Sequence, residues 1–275
     1  MKSGWRGVAA ATTLSLATAL ASCGPPPAMP PVPLRGPLRL RLVPPEGQVS
    51  RYAYSMETNM ENPMMPSTGP LMTMRFHQTQ TVLSVEHEVI RSRGTIDSTA
   101  TTMAMAMPGM DIFPDFSGSV FTTEMDTRGR LLGVVDTEGL PVDAGVSLES
   151  MFEESNYFVL PEEEVSPGDS WTLDAPMSLP MGPDGTVSMD VELTYSFVSL
   201  EGSLATLSFE GPIDMSLDVG GMGMSGSGTV TGTTVVDLAE GRYQSQTSRM
   251  NLDMSVAGMS MKTSSTTTLE LLPDR

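Results

Sequence analysis

Apolar and polar residues alternate along much of this sequence, and the alternation restricts the chain to one class of fold. In VSMDVELTYSF, residues 187–197, every odd-numbered residue is apolar and every residue between is polar. In residues 49–60, two tyrosines and two methionines likewise share one side. Because successive side chains of a β-strand point to opposite faces, both segments predict strands with one buried face.

Further segments of the same kind are separated by Gly, Pro and Asp, which typically occupy the turns between strands. They cover residues 38–42, 71–85, 203–210 and 260–272. We therefore expect an all-β domain over residues 38–275, built as one large curved antiparallel sheet or half-barrel.

Two hairpins in the sequence resemble each other. Residues 120–134 turn between Asp126 and Gly129, and residues 233–246 turn between Asp237 and Gly241. Each turn begins with Asp, which can accept hydrogen bonds from its own backbone, and ends with Gly-Arg. The likeness suggests two related halves, 38–136 and 165–275, although a chance similarity explains it equally well because such turns are frequent.

A short helix is expected between these halves, over residues 147–155. Ser147 or Ser150 can cap it, and Leu148, Met151 and Phe152 form one apolar side.

A distinctive string follows this segment, in which Leu160-Pro161, Val165, Gly168-Asp169 and Trp171 are spaced as LPxxxVxxGDxW. Together with Leu20-Ala21-Ser22-Cys23, which matches a lipobox, and with the Met- and Thr-rich strands, this string resembles a family of bacterial lipoproteins of unknown function. The resemblance covers most of the mature chain and implies a β-rich envelope domain, with no activity and no catalytic residues to carry over. The residues themselves indicate a turn at 167–169 that delivers Trp171 onto the core.

The N-terminus has the pattern of a lipoprotein signal. Lys2 and Arg6 precede an apolar stretch, and Leu20-Ala21-Ser22-Cys23 matches a lipobox. We expect residues 1–22 to be removed and Cys23, the only cysteine, to be lipidated and to anchor the protein in a membrane. Gly24 in the next position favours the outer membrane, and residues 23–37, rich in proline, predict an extended tether.

The acidic composition restricts the choice of partners. With 15 basic and 33 acidic residues the chain carries a net charge of −18, which disfavours nucleic acid and anionic headgroups. After lipidation no thiol is left, so disulfides and cysteine catalysis are excluded.

No catalytic or cofactor motif stands out. Residues 221–226 satisfy GxGxxG, but a strand-like segment follows where a dinucleotide site needs a helix. The histidines His77 and His87 are both predicted on strands without a catalytic partner. The carboxylate pairs Asp111/Asp115 and Asp214/Asp218 have no EF-hand loop around them. We expect a non-enzymatic protein without a cofactor or a dedicated metal site.

The remaining signal is the abundance of methionine, with 24 residues and the run MAMAMPGM at 103–110. One interpretation is a structural scaffold with a Met-filled core. A second is an inner sheet face that shelters a lipid or a lipoprotein tail, covered by residues 103–116 as an apolar flap. The ligand contacts would be Met105, Met107, Met110, Phe113 and Phe116. A third is copper(I) binding through thioethers, disfavoured at 103–110 because Met103, Met105 and Met107 would form a wall on a strand.

Overall fold

The computed structural model describes eight segments of the chain. They are residues 36–61, 69–104, 115–139, 158–175, 177–180, 185–219, 222–256 and 259–273. Leu34–Arg275 form one compact unit. The described residues contain strands, turns and irregular segments but no helix, so the all-β prediction is confirmed. The helix predicted at 147–155 lies outside the described residues.

All strands of the described chain belong to one antiparallel sheet of twelve. They are β1 (Val49–Glu61), β2 (Met72–Glu86), β3 (Val89–Met103), β4 (Val120–Asp126), β5 (Leu131–Glu138), β6 (Ser170–Asp174), β7 (Met177–Pro180), β8 (Gly185–Glu201), β9 (Leu204–Val219), β10 (Met222–Asp237), β11 (Arg242–Val256) and β12 (Met259–Leu271).

The sheet consists of two meanders, β1 to β5 and β8 to β12, which are joined by the pairing of β1 with β12. Its strand order is β5-β4-β3-β2-β1-β12-β11-β10-β9-β8-β6. The short strands β6 and β7 pair with successive parts of β8, so together they form one edge of an open sheet, with β5 at the other edge. Since β1 pairs with β12, the first and last strands lie next to each other in the middle of the sheet.

The sheet is curved, and the membership of its main core shows this. Val82 on β2 and Ile90 on β3 belong to the same buried cluster as Leu193 on β8 and Leu207 on β9. In a flat sheet β3 and β8 would lie seven strand spacings apart, roughly 34 Å at about 4.8 Å each. The sheet therefore curls around the cluster, as the half-barrel prediction requires.

Both predicted hairpin turns are confirmed. Asp126 Oδ1 accepts hydrogen bonds from the backbone N–H groups of Arg128 (2.9 Å) and Arg130 (2.8 Å). Asp237 Oδ1 likewise accepts hydrogen bonds from the backbone N–H groups of Ala239 (3.0 Å) and Glu240 (3.2 Å). The glycine that ends each turn has positive φ, 92° at Gly129 and 60° at Gly241. The division into two related halves stays a prediction.

Two local predictions are wrong. Residues 39–42 of LRLRL form no strand, and only Leu38 makes a bridge, to Val165. Prolines at 37, 44 and 45 flank the segment and have no N–H group to donate, which limits ladder formation. His87 does not lie on a strand either, because it forms with Glu88 the two-residue turn between β2 and β3.

Candidate functional site

The two faces of the sheet differ sharply in polarity. Residues paired directly across neighbouring strands lie on the same face, so the register defines an inner face that carries Tyr54, Met74, Phe209, Met215 and Leu252. The outer face carries exposed charged side chains in the alternate positions. They include Glu57, Arg75, Asp190, Asp214 and Asp253. Any apolar ligand would therefore have to bind on the inner face.

One end of the inner face, the closed end, is filled by two irregular segments that we call the plug, residues 38–42 and 158–165. Leu40, Leu42 and Leu160 are at most 1% exposed. A few backbone hydrogen bonds hold the two segments in place. Leu42 N donates to Thr127 O (2.7 Å), Leu160 N donates to Arg128 O (2.8 Å), and Leu38 and Val165 exchange two bonds of 2.8 Å. The alternation in LRLRL thus correctly predicted that Leu40 and Leu42 are buried, although the segment does not form the expected strand.

Two arginines donate hydrogen bonds to backbone carbonyls of the plug, Arg41 from within it and Arg128 from the turn after β4. Arg128 Nε donates to Leu160 O (2.8 Å), and Arg41 Nη1 donates to Pro161 O (2.8 Å). Partial burial, with the nearby positive charges of Arg39 and Arg128, lowers the pKa of Arg41 from its ordinary value. These guanidinium groups satisfy carbonyl oxygens of the plug and are therefore structural.

The LPxxxVxxGDxW string builds the wall beside the plug. Gly168 has φ of 102°, and Ser166 N donates to Asp169 Oδ2 (2.8 Å), so a turn forms where it was predicted. Trp171 then stacks on Tyr195, with ring centroids 5.5 Å apart, and its Nε1 donates to Val159 O (3.0 Å). The prediction that this turn delivers Trp171 onto the core is confirmed.

Tyr195 lies at the centre of an aromatic cluster at the closed end. Phe158 meets it edge-on at 6.0 Å, and the Phe209 ring lies 5.4 Å away. Burial raises the pKa of Tyr195 and, more strongly, that of Tyr243, so both phenols stay neutral. The cluster offers packing rather than a titrating group for catalysis.

The other end, which we call the open end, is less completely buried. Along β1, Tyr52 is 6% exposed but Met56 and Met60 are half-buried, and along β2 the change runs from Val82 at 6% to a half-buried Met74. Tyr54 and Phe76 stack here, with ring centroids 4.4 Å apart. The inner face thus changes from a filled core to a partly exposed surface of aromatic and thioether groups.

Of the five proposed ligand-contact residues, the structure describes only Phe116. Met105, Met107, Met110 and Phe113 lie outside the described residues. Phe116 is 7% exposed and packs with Ile96 and Phe121, two residues of the inner face.

The chain is fixed where it returns to the sheet. Thr99 Oγ1 donates to Asp115 Oδ1 (2.5 Å), and Ser117 N donates to the same oxygen (2.9 Å). Hydrogen bonds from Ser117 and Thr99 lower the pKa of Asp115 to about 2. These hydrogen bonds hold the chain in place on both sides of Phe116, whose side chain packs against the inner face.

The other candidate residues do not form a site. His77 is exposed on β2, with Nδ1 3.0 Å from Ser98 Oγ. Asp214 is exposed on the outer face of β9, Asp218 belongs to the same strand, and Asp111 is outside the described residues. The segment after Gly221 is strand β10. Within the described ranges no three His, Cys, Asp or Glu side chains converge as metal ligands.

No membrane-spanning helix occurs in the part of the chain that the structure describes.

Sequence reasoning missed one feature of the inner face, because it depends on the register of the strands. Four methionines and a glycine, which we call the methionine row, face each other across five strands. They are Met189, Met215, Gly226, Met254 and Met261, on β8 to β12 in spatial order. The alternating methionines of each strand were visible in the sequence, but their alignment was not.

Comparison with known proteins assigns no activity to this fold. Residues 145–242 match a family of unknown function (DUF6263), a segment that includes the LPxxxVxxGDxW string. No curated protein matches the chain.

Two solved structures align with most of the chain. Ail, the attachment invasion locus protein of Yersinia pestis, shares 5% identity over 83% of this chain and 100% of its own, with a TM-score of 0.20. OccK5 (OpdH) of Pseudomonas aeruginosa shares 9% over 84% and 99%, with a TM-score of 0.23. These scores are too low to inform either fold or function.

Proposed function

We propose that this chain is a lipid-anchored envelope protein that binds an apolar ligand, such as a lipid or a lipoprotein tail, without catalysis. The observation that supports it best is the difference between the two ends of one continuous inner face. The closed end is filled by the plug, while Met56, Met60 and Met74 at the open end stay half-buried.

Partial exposure of an apolar surface is unfavourable, at about 25 cal/mol for each Å². A ligand that covers the open end would remove this cost. Methionine suits such a surface, because its unbranched and polarizable side chain adapts to partners of variable shape. Phe116, packed on the inner face at the end of the predicted flap, supports a cover for the bound ligand.

The sequence supplies the location in this proposal. Lipidation of Cys23 attaches the protein to a membrane, and Gly24 favours the outer membrane of a Gram-negative cell. The proline-rich tether lets the folded part reach ligands away from the bilayer surface. The acidic outer face, with Asp190, Asp214 and Asp253 exposed, discourages contact with anionic headgroups.

Ligand binding is tested on the full-length protein, gently extracted from membranes. Native mass spectrometry should reveal co-purified lipid, and a fluorescent fatty acid should bind after delipidation. The variant Met74→Glu places a charge on the inner face and should weaken fatty-acid binding at least tenfold. Phe113→Asp, in the predicted flap, should weaken it too.

The matched control is Arg75→Glu, which places the same side chain on the outer face of the same strand and should bind as the wild type does. An apo mass together with no fatty-acid binding, or equal binding by Met74→Glu and Arg75→Glu, would reject the proposal. That result would favour the scaffold with a Met-filled core.

A further inference from the structure

The methionine row brings thioethers together at one place on the inner face. Met189 pairs with Met215, Met215 with Gly226, Gly226 with Met254, and Met254 with Met261. All four methionine side chains are buried or half-buried. Two methionines therefore flank Gly226 on each side, in direct cross-strand succession.

Gly226 lets the inner two side chains approach the same point. The point where a Cβ would stand at Gly226 lies 3.1 Å from Met254 Cγ and 3.3 Å from Met215 Cε. In methionine both Cγ and Cε are bonded to the sulfur. Each Sδ atom is therefore bonded to a carbon that lies close to this point. The two side chains come from β9 and β11, the strands on either side of β10.

The surroundings restrict which ion such a site could take. The next residues along the inner face of the same strands are Val191, Ile213 and Leu252, all at most 5% exposed, and Thr263. None of these carries a charge. Calcium, magnesium and zinc need carboxylate, imidazole or thiolate ligands, whereas neutral thioethers are soft donors that suit copper(I).

We propose that Met189, Met215, Met254 and Met261 form a binding site for copper(I). The inner pair supplies two sulfurs over Gly226, and the outer pair supplies one or two more by rotation of flexible side chains. A monovalent ion suits a site of neutral ligands, and the carboxylates of Asp190 and Asp214 on the outer face of β8 and β9 contribute a favourable field.

This site is separate from the run MAMAMPGM and goes beyond the proposed apolar-ligand function. Since thioethers do not titrate, copper(I) affinity at the methionine row should stay constant from about pH 5 to about pH 8, unlike that of histidine or carboxylate sites. A pH-independent affinity is thus the signature of this ligand set.

The test is an anaerobic titration of the full-length protein with copper(I) in competition with a colorimetric copper(I) chelator, repeated with silver(I). We expect one ion per chain and X-ray absorption showing three or four sulfur neighbours. The double variant Met215→Leu/Met254→Leu should lower the affinity at least tenfold. The matched control Met56→Leu/Met74→Leu, on β1 and β2 of the same face, should retain it.

Several results would overturn the assignment. They are absence of stoichiometric binding by folded wild-type protein, equal affinities of the double variant and its control, and a marked fall in affinity on acidification. If the double variant does not fold, Met261→Leu, at a half-buried position, takes its place and must weaken binding.

Leucine keeps the row apolar, so fatty-acid binding by Met215→Leu/Met254→Leu should persist. Loss of copper and loss of lipid binding are therefore distinguishable.

Discussion

At the scale of single residues, the turn between β2 and β3 carries backbone strain. His87 and Glu88 have φ of 50° and 64°, the left-handed region that costs an L-residue about 1–2 kcal/mol relative to glycine. Glu86 pairs with Val89, so these two residues form a two-residue hairpin loop, and positive φ at both of its positions is the pattern of a type I′ turn.

We predict that Glu88→Gly raises the free energy of unfolding by about 0.5–1 kcal/mol, because glycine adopts the left-handed conformation without strain. The backbone bond from Thr127 N to Glu88 O is kept. Chemical denaturation followed by circular dichroism measures the change. Glu86→Gly, in the adjoining strand, is the control and should lower stability; a loss of stability in both variants would contradict the argument.

At the scale of elements, glycines on the inner face allow the strands to curl. A Cβ at Gly228 would lie 1.9 Å from Asn251 O, and one at Gly211 would lie 1.9 Å from Glu192 O. At both positions a backbone carbonyl of the neighbouring strand occupies the space that a Cβ atom would need. Curvature of a sheet concentrates at such glycines, so the half-barrel depends on them.

Gly228→Ala should therefore destabilise the protein by about 1–3 kcal/mol or more, as overpacking does in a filled core. Gly133→Ala on β5 is the matched control, because nothing lies within 4 Å of the added methyl group, and it should change stability by less than about 0.5 kcal/mol. Thermal unfolding of both variants decides the matter. Equal midpoints would show that the close approach at Gly228 is not a constraint.

The sequence predicted the strands and turns well, because alternation and Asp-Gly turns are local signals. Strands β1, β2 and β8 and the turns at Asp126 and Asp237 all lie where they were expected. The pairing of distant strands is not a local signal. The methionine row, the meeting of β1 with β12 and the packing of Phe116 all depend on register and curvature, so they appear only in the structure.

At the scale of the whole molecule, one curved sheet has two unlike ends. The ligand proposal assigns a role to the open end, and the lipobox predicts membrane attachment at Cys23. Cys23 precedes the described residues, which begin at Gly36. Its lipidation is therefore tested separately from the fold.

We predict that Cys23→Ser abolishes lipidation and leaves an unprocessed precursor in the cell, because the thiol is the atom that is acylated. Mass spectrometry of the N-terminal peptide from wild-type protein should show a diacylglycerol-modified cysteine. Ser22→Ala is the control and should be processed normally. An unmodified Cys23 in the wild type, or cleavage at another residue, would contradict the prediction.

The plug has a mechanical consequence, because the first described residues of the chain form part of it. A pull on the N-terminus acts first on the two bonds between Leu38 and Val165 and then on the bond from Leu42 to Thr127. The β-ladders do not yield until these bonds have broken. Tension on this segment would thus withdraw residues 38–42 from the closed end before it separated the strands of the sheet.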